Sequence, residues 1–125
     1  MTIKTSIMAV AAAIALAMPA GALTAQEASQ CSTMASSFQV RQTEVVDLQT
    51  RQAELAAEAE RLGEDWELKE EIRNFSAENA AAADEARIAY ETARADAMLV
   101  TSDLRSKAQM LNADIAHFNT RCTGN

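Results

Sequence analysis

Residues that interrupt helices are scarce in this 125-residue chain, which contains three glycines and one proline. Because Pro19 and Gly21 fall in the first 25 residues, only Gly63 and Gly124 punctuate the remainder. Turns are normally marked by glycine and proline, so this scarcity, with abundant Ala, Glu, Gln, Arg and Leu, predicts long helices. Aromatic residues make up 4% of the chain, which favours a narrow seam between helices over a wide globular core.

The groups on which enzymes and metal sites depend are also few. Nucleophilic catalysis usually needs a positioned base, and the single histidine, His117, lies near the predicted C-terminal end of a helix, where it complements the helix dipole. Zinc sites need clustered Cys and His, and phosphate-binding loops need glycines close together. The sequence supplies neither, so we expect no enzymatic activity, no catalytic residue, no metal centre and no cofactor.

The first 25 residues have the pattern of a secretory signal peptide. Lys4 precedes an apolar run over residues 7–18, twelve residues long, whereas a membrane-spanning helix needs roughly 20. Cleavage is predicted after Ala25, with the A-x-A site that ends at Ala22 as the alternative. An uncleaved membrane anchor is a further alternative at this point.

The remaining domain, residues 26–125, is acidic. Removal of Lys4 leaves ten Lys and Arg against 18 Asp and Glu, a net charge of −8. Nucleic acids and anionic lipids both attract basic surfaces, so neither is an expected partner. We expect a periplasmic or secreted protein with no stable membrane insertion after cleavage, acting through a protein partner or through self-association.

Cys31 and Cys122 are the only cysteines, and they lie near the two ends of this domain. In an oxidising compartment two such thiols are expected to pair. A Cys31–Cys122 disulfide would clamp the ends of everything between them. The alternatives are two free thiols or a bond between two chains.

Apolar residues recur at alternating steps of three and four along two long stretches, which is the heptad pattern of helices packed along a seam. The first stretch reads Cys31, Met34, Phe38, Arg41, Val45, Leu48, Gln52, Leu55, Ala59, Leu62 and Trp66. The second reads, backward, Cys122, Phe118, Ile115, Leu111, Ala108, Leu104, Thr101, Ala97, Arg94 and Tyr90. We predict an all-α, antiparallel, coiled-coil-like helical hairpin, with arms at about residues 30–73 and 77–121.

The hairpin needs one turn, and its position follows from the cysteines. If Cys31 faces Cys122, the numbers of paired residues add to about 153 and the turn falls near residue 76. Ser76 is a predicted N-cap for the second helix. In this register Gln52 would face Thr101 as a polar layer, and Arg41 would face Asn112.

The heptad pattern changes phase once, near Gly63. The residue seven after Leu62 is Lys69, whereas apolar residues continue one position early, at Leu68, Ile72 and Phe75. This slip predicts a kink or short break at Gly63, with Asp65 as an N-cap beyond it.

Two functions are compatible with these features. The first is a non-enzymatic interaction protein, chaperone-like, scaffolding or envelope-associated, with a second apolar stripe outside the seam at Val40, Val46, Ala56, Ile88, Ala89 and Leu99. The second is a cation- or ligand-binding module. Its candidate site is the acidic cluster before the turn, which we define as Glu64, Asp65, Trp66, Glu67, Glu70 and Glu71.

Overall fold

The chain forms two long helices joined by one tight turn. The computed structural model describes residues 23–123 and contains no strand within them. Helix α1 runs over Ala25–Glu71, a single 3-10 turn over Arg73–Phe75, and helix α2 over Ala77–Cys122. The two helices pack against each other and the chain bends at residue 72, so the predicted helical hairpin is confirmed. Most of the predicted signal segment lies outside the described residues.

Helix α1 begins with a reciprocal capping box. The backbone N–H of Glu27 donates to Thr24 Oγ1 at 3.1 Å, and the backbone N–H of Thr24 donates to Glu27 Oε2 at 2.8 Å. Two N–H groups that the helix leaves unpaired are thereby satisfied. The hydrogen bond from the Thr24 backbone also lowers the pKa of Glu27 below its usual value.

The turn between the helices uses a side-chain cap as predicted. Ser76 is extended, with φ −161° and ψ 165°, and follows the 3-10 turn directly. Its Oγ accepts a hydrogen bond from the backbone N–H of Asn79 at 3.0 Å, which caps the start of α2. Ser76 therefore stops one helix and starts the next without glycine or proline.

The helices form two compact units, and the first contains residues 23–43 and 107–123. Cys31 and Cys122 form a disulfide with a Cα–Cα distance of 5.8 Å, so the predicted clamp is confirmed. Beside it, Phe38 and Phe118 meet edge to face with ring centroids 5.4 Å apart. Leu111 and Ile115 are also buried here, which gives this unit its apolar core.

Arg41 shows where the predicted register was inaccurate. Its Nη1 donates to Asp114 Oδ2 at 2.7 Å, rather than meeting Asn112. Side chains in a helix lean toward the N-terminus of that helix. In an antiparallel pair, the ends of two long side chains therefore meet when both residues lie slightly later in the sequence than the pair whose Cα atoms are opposite, and their residue numbers add to more than 153. The Phe38–Phe118 pair, whose numbers add to 156 instead of 153, departs in the same direction.

The second unit contains residues 44–106 and includes the turn. Its most buried residues are mostly small: Val45, Ala59, Ala83 and Ala86. Small side chains on facing helices allow close approach of the two backbones. In the predicted Gln52–Thr101 layer both residues are partly buried, and the Thr101 hydroxyl donates to the carbonyl of Ala97 within its own helix at 2.8 Å.

The predicted break at Gly63 is wrong, since α1 continues through it to Glu71. Gly63 instead allows a close contact: a Cβ added there would lie 3.1 Å from Cε2 of Tyr90. Asp65 is likewise not an N-cap, because it lies inside the helix and its carboxylate accepts a hydrogen bond from Lys69 at 2.7 Å. The glycine serves packing against an aromatic ring rather than a turn.

Candidate interaction surface at the bend

The acidic cluster predicted from the sequence lies at the C-terminal end of α1, but its residues point in different directions. Trp66 faces α2 and stacks on Tyr90, with ring centroids 5.5 Å apart and planes inclined by 23°. Its Nε1 is buried and has no hydrogen-bond partner within residues 23–123. Trp66 therefore belongs to the seam, as its heptad position implies.

Two carboxylates of the cluster neutralise cations on the α2 side of α1. Asp65 accepts from Lys69 at 2.7 Å, one turn along the helix. Glu70 accepts from Arg73 at 2.9 Å, and the same guanidinium donates to Asp84 of α2 at 2.5 Å. The hydrogen bond between Arg73 and Asp84 raises the pKa of Arg73 and lowers the pKa of Asp84. Arg73 thus ties the two helices together at the turn.

The other three carboxylates, Glu64, Glu67 and Glu71, are exposed. None of them has an ion-pair partner within the described part of the chain. Across residues 23–123 there is also no group of three or more His, Cys, Asp or Glu side chains arranged to hold a metal ion. The six predicted site residues consequently do not form one pocket: three face the seam or its edge, and three project into solvent.

The apolar residues beside this cluster are where the sequence prediction failed. Leu68, Ile72 and Phe75 were expected to continue the seam, but their exposed fractions are 66%, 41% and 79%. We call these three residues the bend surface. The seam positions are occupied instead by Lys69 and Arg73, which are both partly buried.

The reason is the continuity of α1 through Gly63. A shift by one residue would turn the contact face by about 100°, and the unbroken α1 keeps its original face toward α2. Leu62 and Trp66 therefore lead to Lys69 and Arg73, the next positions of the unshifted heptad. The alkyl stems of these cations lie along the seam while their charges reach carboxylates. Part of this signal was present in the sequence: Asp65 precedes Lys69 by four residues and Glu70 precedes Arg73 by three, the spacings of helical ion pairs.

The second apolar stripe is exposed, as predicted, at all six of its positions. Among its large members, Val40 and Leu99 are 71% and 70% exposed. Met98 and Met110 are also exposed on α2, although the sequence did not single them out. These residues are dispersed along both helices, whereas the bend surface concentrates three large side chains within eight residues.

The two cysteines and the single histidine are the remaining residues with reactive side chains. Both cysteines are consumed by the disulfide, and the described chain contains no free thiol. His117 is exposed on α2, five residues before the helix ends. No helix within residues 23–123 has an apolar stretch long enough to cross a membrane.

Comparison of the chain with protein-family models, with curated proteins and with solved structures finds no match.

Proposed function

We propose that this chain is an exported, non-enzymatic helical-hairpin protein that works by binding another protein, in a chaperone-like, scaffolding or envelope-associated role. The observation that carries the proposal is the bend surface, Leu68, Ile72 and Phe75. Large exposed apolar residues that are contiguous usually mark sites of interaction, whereas single ones are common on any surface.

The arrangement around the bend surface supports a functional origin. A helix packed on one neighbour normally places its apolar residues toward that neighbour and its charges toward water. At the end of α1 the order is reversed, since Lys69 and Arg73 lie on the seam and the bend surface is in solvent. Departures from the local rule of this kind are expected where function, rather than stability, has set the sequence.

Export is supported by two features that are independent of each other. Residues 1–25 have the order of charges, apolar residues and small residues typical of a signal peptide. The Cys31–Cys122 disulfide suits an oxidising compartment such as a periplasm or the extracellular space. We therefore propose a periplasmic or secreted location.

The alternative, cation binding by the acidic cluster, has less support. Its carboxylates diverge around the helix, and two of them already pair with Lys69 and Arg73. We expect millimolar Ca²⁺ to leave the melting temperature and the fluorescence of Trp66 unchanged, because a cation held weakly by scattered carboxylates stabilises little. A saturable rise in melting temperature with Ca²⁺, absent with the same ionic strength of NaCl, would favour the cation-binding function instead.

Site-specific photo-crosslinking tests the proposed interaction. A photo-reactive phenylalanine analogue would replace Phe75, Leu99 or Met110 in separate variants, and the exposed Glu91 in a control. Each full-length variant would be irradiated in its native cell. We expect a discrete crosslinked product, identified by mass spectrometry, from at least one apolar position and none from position 91. Absence of a product from all three apolar positions would contradict the interaction function.

A further inference from the structure

Three exposed carboxylates lie close to the bend surface in the sequence. Glu64 and Glu71 lie four residues before and three residues after Leu68, so both flank it on the same face of α1. Glu67 adds a third exposed carboxylate beside them. We call Glu64, Glu67 and Glu71 the acidic rim.

The neighbouring cations of α1 and of the turn form no ion pair with the acidic rim. Lys69 and Arg73 are directed toward the seam by Asp65, Glu70 and Asp84. Arg61, two turns earlier, donates two hydrogen bonds to Glu58, at 3.0 Å and 2.6 Å. Arg61, Lys69 and Arg73 are therefore each paired with carboxylates outside the acidic rim.

We infer that the bend surface, with its acidic rim, binds a cationic amphipathic helix of a partner protein. Leu68 lies in the last turn of α1, Ile72 at the bend and Phe75 in the 3-10 turn, so the three exposed side chains fall within eight residues where the chain reverses. An amphipathic helix offers a matching surface, with an apolar stripe for these side chains and charges beside it. Lys or Arg residues at the edges of the partner's apolar face would meet the acidic rim. This inference rests on the proposed interaction function and adds the chemical class of the partner.

A second copy of the chain fits the same surface poorly. A two-fold contact places a patch against itself, so the acidic rim of one copy would face that of the other. The net charge of −8 on residues 26–125, from ten Lys and Arg against 18 Asp and Glu, adds to this repulsion. Charge complementarity between partners favours encounter and excludes like-charged competitors, which a cationic helix satisfies.

The test uses the oxidised protein and a defined probe. The probe is a fluorescently labelled peptide with leucines on one helical face and lysines elsewhere. A peptide with glutamate in place of lysine is the charge control, and a scrambled leucine–lysine peptide is the control for a single apolar face. Binding would be followed by fluorescence anisotropy at several salt concentrations.

Variants of the protein separate the bend surface from other exposed apolar residues. Leu68→Ser and Leu99→Ser remove the same side chain from positions that are 66% and 70% exposed. A triple variant replaces Leu68, Ile72 and Phe75 with Ser and so removes the whole bend surface. One charge variant neutralises the acidic rim with Glu64→Gln, Glu67→Gln and Glu71→Gln. A control variant makes the same change of charge at exposed positions of α2, with Glu91→Gln, Asp96→Asn and Asp103→Asn. Exposed substitutions of this kind usually change stability little, and a thermal melt verifies that each variant folds.

We expect the leucine–lysine peptide to bind the wild-type protein, and the triple Ser variant to bind it at least roughly tenfold more weakly. Neutralising the acidic rim should weaken binding at low salt and flatten its salt dependence. Leu99→Ser and the α2 charge variant should bind as the wild type does. Equal binding of the glutamate or scrambled peptide, or equal loss in Leu99→Ser, would overturn the inference.

Two further outcomes separate this inference from the general function. Crosslinking from positions 99 or 110, with none from position 75, would leave an interaction protein whose binding surface is not the bend. Sedimentation that shows a wild-type dimer, dissociated in the triple Ser variant, would assign the bend surface to a second copy and overturn the cationic partner.

Discussion

The Cys31–Cys122 disulfide should supply a large part of the stability of this protein. The two cysteines are separated by 91 positions in the chain. In the chain-entropy relation, closure of a loop of this length removes unfolded-state entropy equivalent to about 4.6 kcal/mol at 25 °C. Small domains typically have unfolding free energies of only about 5–15 kcal/mol. Breaking the disulfide should therefore lower the melting temperature by roughly 20 °C or more.

Urea denaturation followed by far-UV circular dichroism measures this effect. The oxidised protein would be compared with the same protein in reductant and with the Cys31→Ala/Cys122→Ala variant. Both cysteines are buried, so the variant also loses some packing, and its difference from the reduced protein isolates that contribution. The denaturant slope should be larger without the bond, because the unfolded chain is then less compact.

A loss of stability below about 1.5 kcal/mol, with unchanged slope, would refute the loop-closure reasoning. It would mean that the unfolded chain already keeps its ends together, or that helix packing alone holds the disulfide end. Aggregation during unfolding is checked by repeating the titration at a second protein concentration, since the free energy of a monomer does not depend on it.

Three other perturbations test separate contacts. Gly63→Ala should raise the helix propensity of α1 by about 1 kcal/mol, but its new Cβ should crowd the ring of Tyr90. The substitution should therefore stabilise the Tyr90→Ala variant more than it stabilises the wild type. Equal changes in unfolding free energy in the two backgrounds of this double-mutant cycle would show that the ring does not oppose the Cβ. In a chain that begins at Leu23 and so keeps Thr24, Thr24→Ala should lower the free energy of unfolding by about 1 kcal/mol, whereas Thr24→Ser should be near neutral, and equal loss in both would argue against the cap. The pKa of Asp84 is lowered in the folded state by its hydrogen bond with Arg73, so its contribution is present above the unfolded pKa and declines as pH falls through the folded one. Asp84→Asn should consequently reduce the acid sensitivity of unfolding below about pH 4, and an unchanged pH profile would contradict the pairing.

The fold could be predicted from sequence because one physical signal runs through most of the chain. The heptad from Cys31 to Trp66 placed every member at a buried or partly buried position. On α2 the pattern failed only at Arg94, which is exposed, and the neighbouring Ala93 is partly buried instead. Both cysteines lie in phase with this seam, and the turn then follows from pairing them.

The bend could not be predicted in the same way, because two signals conflicted there. Apolar residues at Leu68, Ile72 and Phe75 favoured a shifted seam, whereas the unshifted seam required Lys69 and Arg73 to face α2. Hydrophobicity alone selects the first arrangement. The second is stabilised by the ion pairs of those two cations. Asp65 and Glu70 are local partners, whereas Asp84 becomes apparent only when both helices are in place.

Intact mass spectrometry of the protein recovered from its native cells, with and without reductant, tests the central claim most directly. The account requires an exported, disulfide-clamped monomer. We expect a chain that begins near Leu23 or Gln26, is found outside the cytoplasm and gains two hydrogen atoms on reduction. A chain that still begins at Met1, remains in the cytoplasm and carries two free thiols would contradict the account.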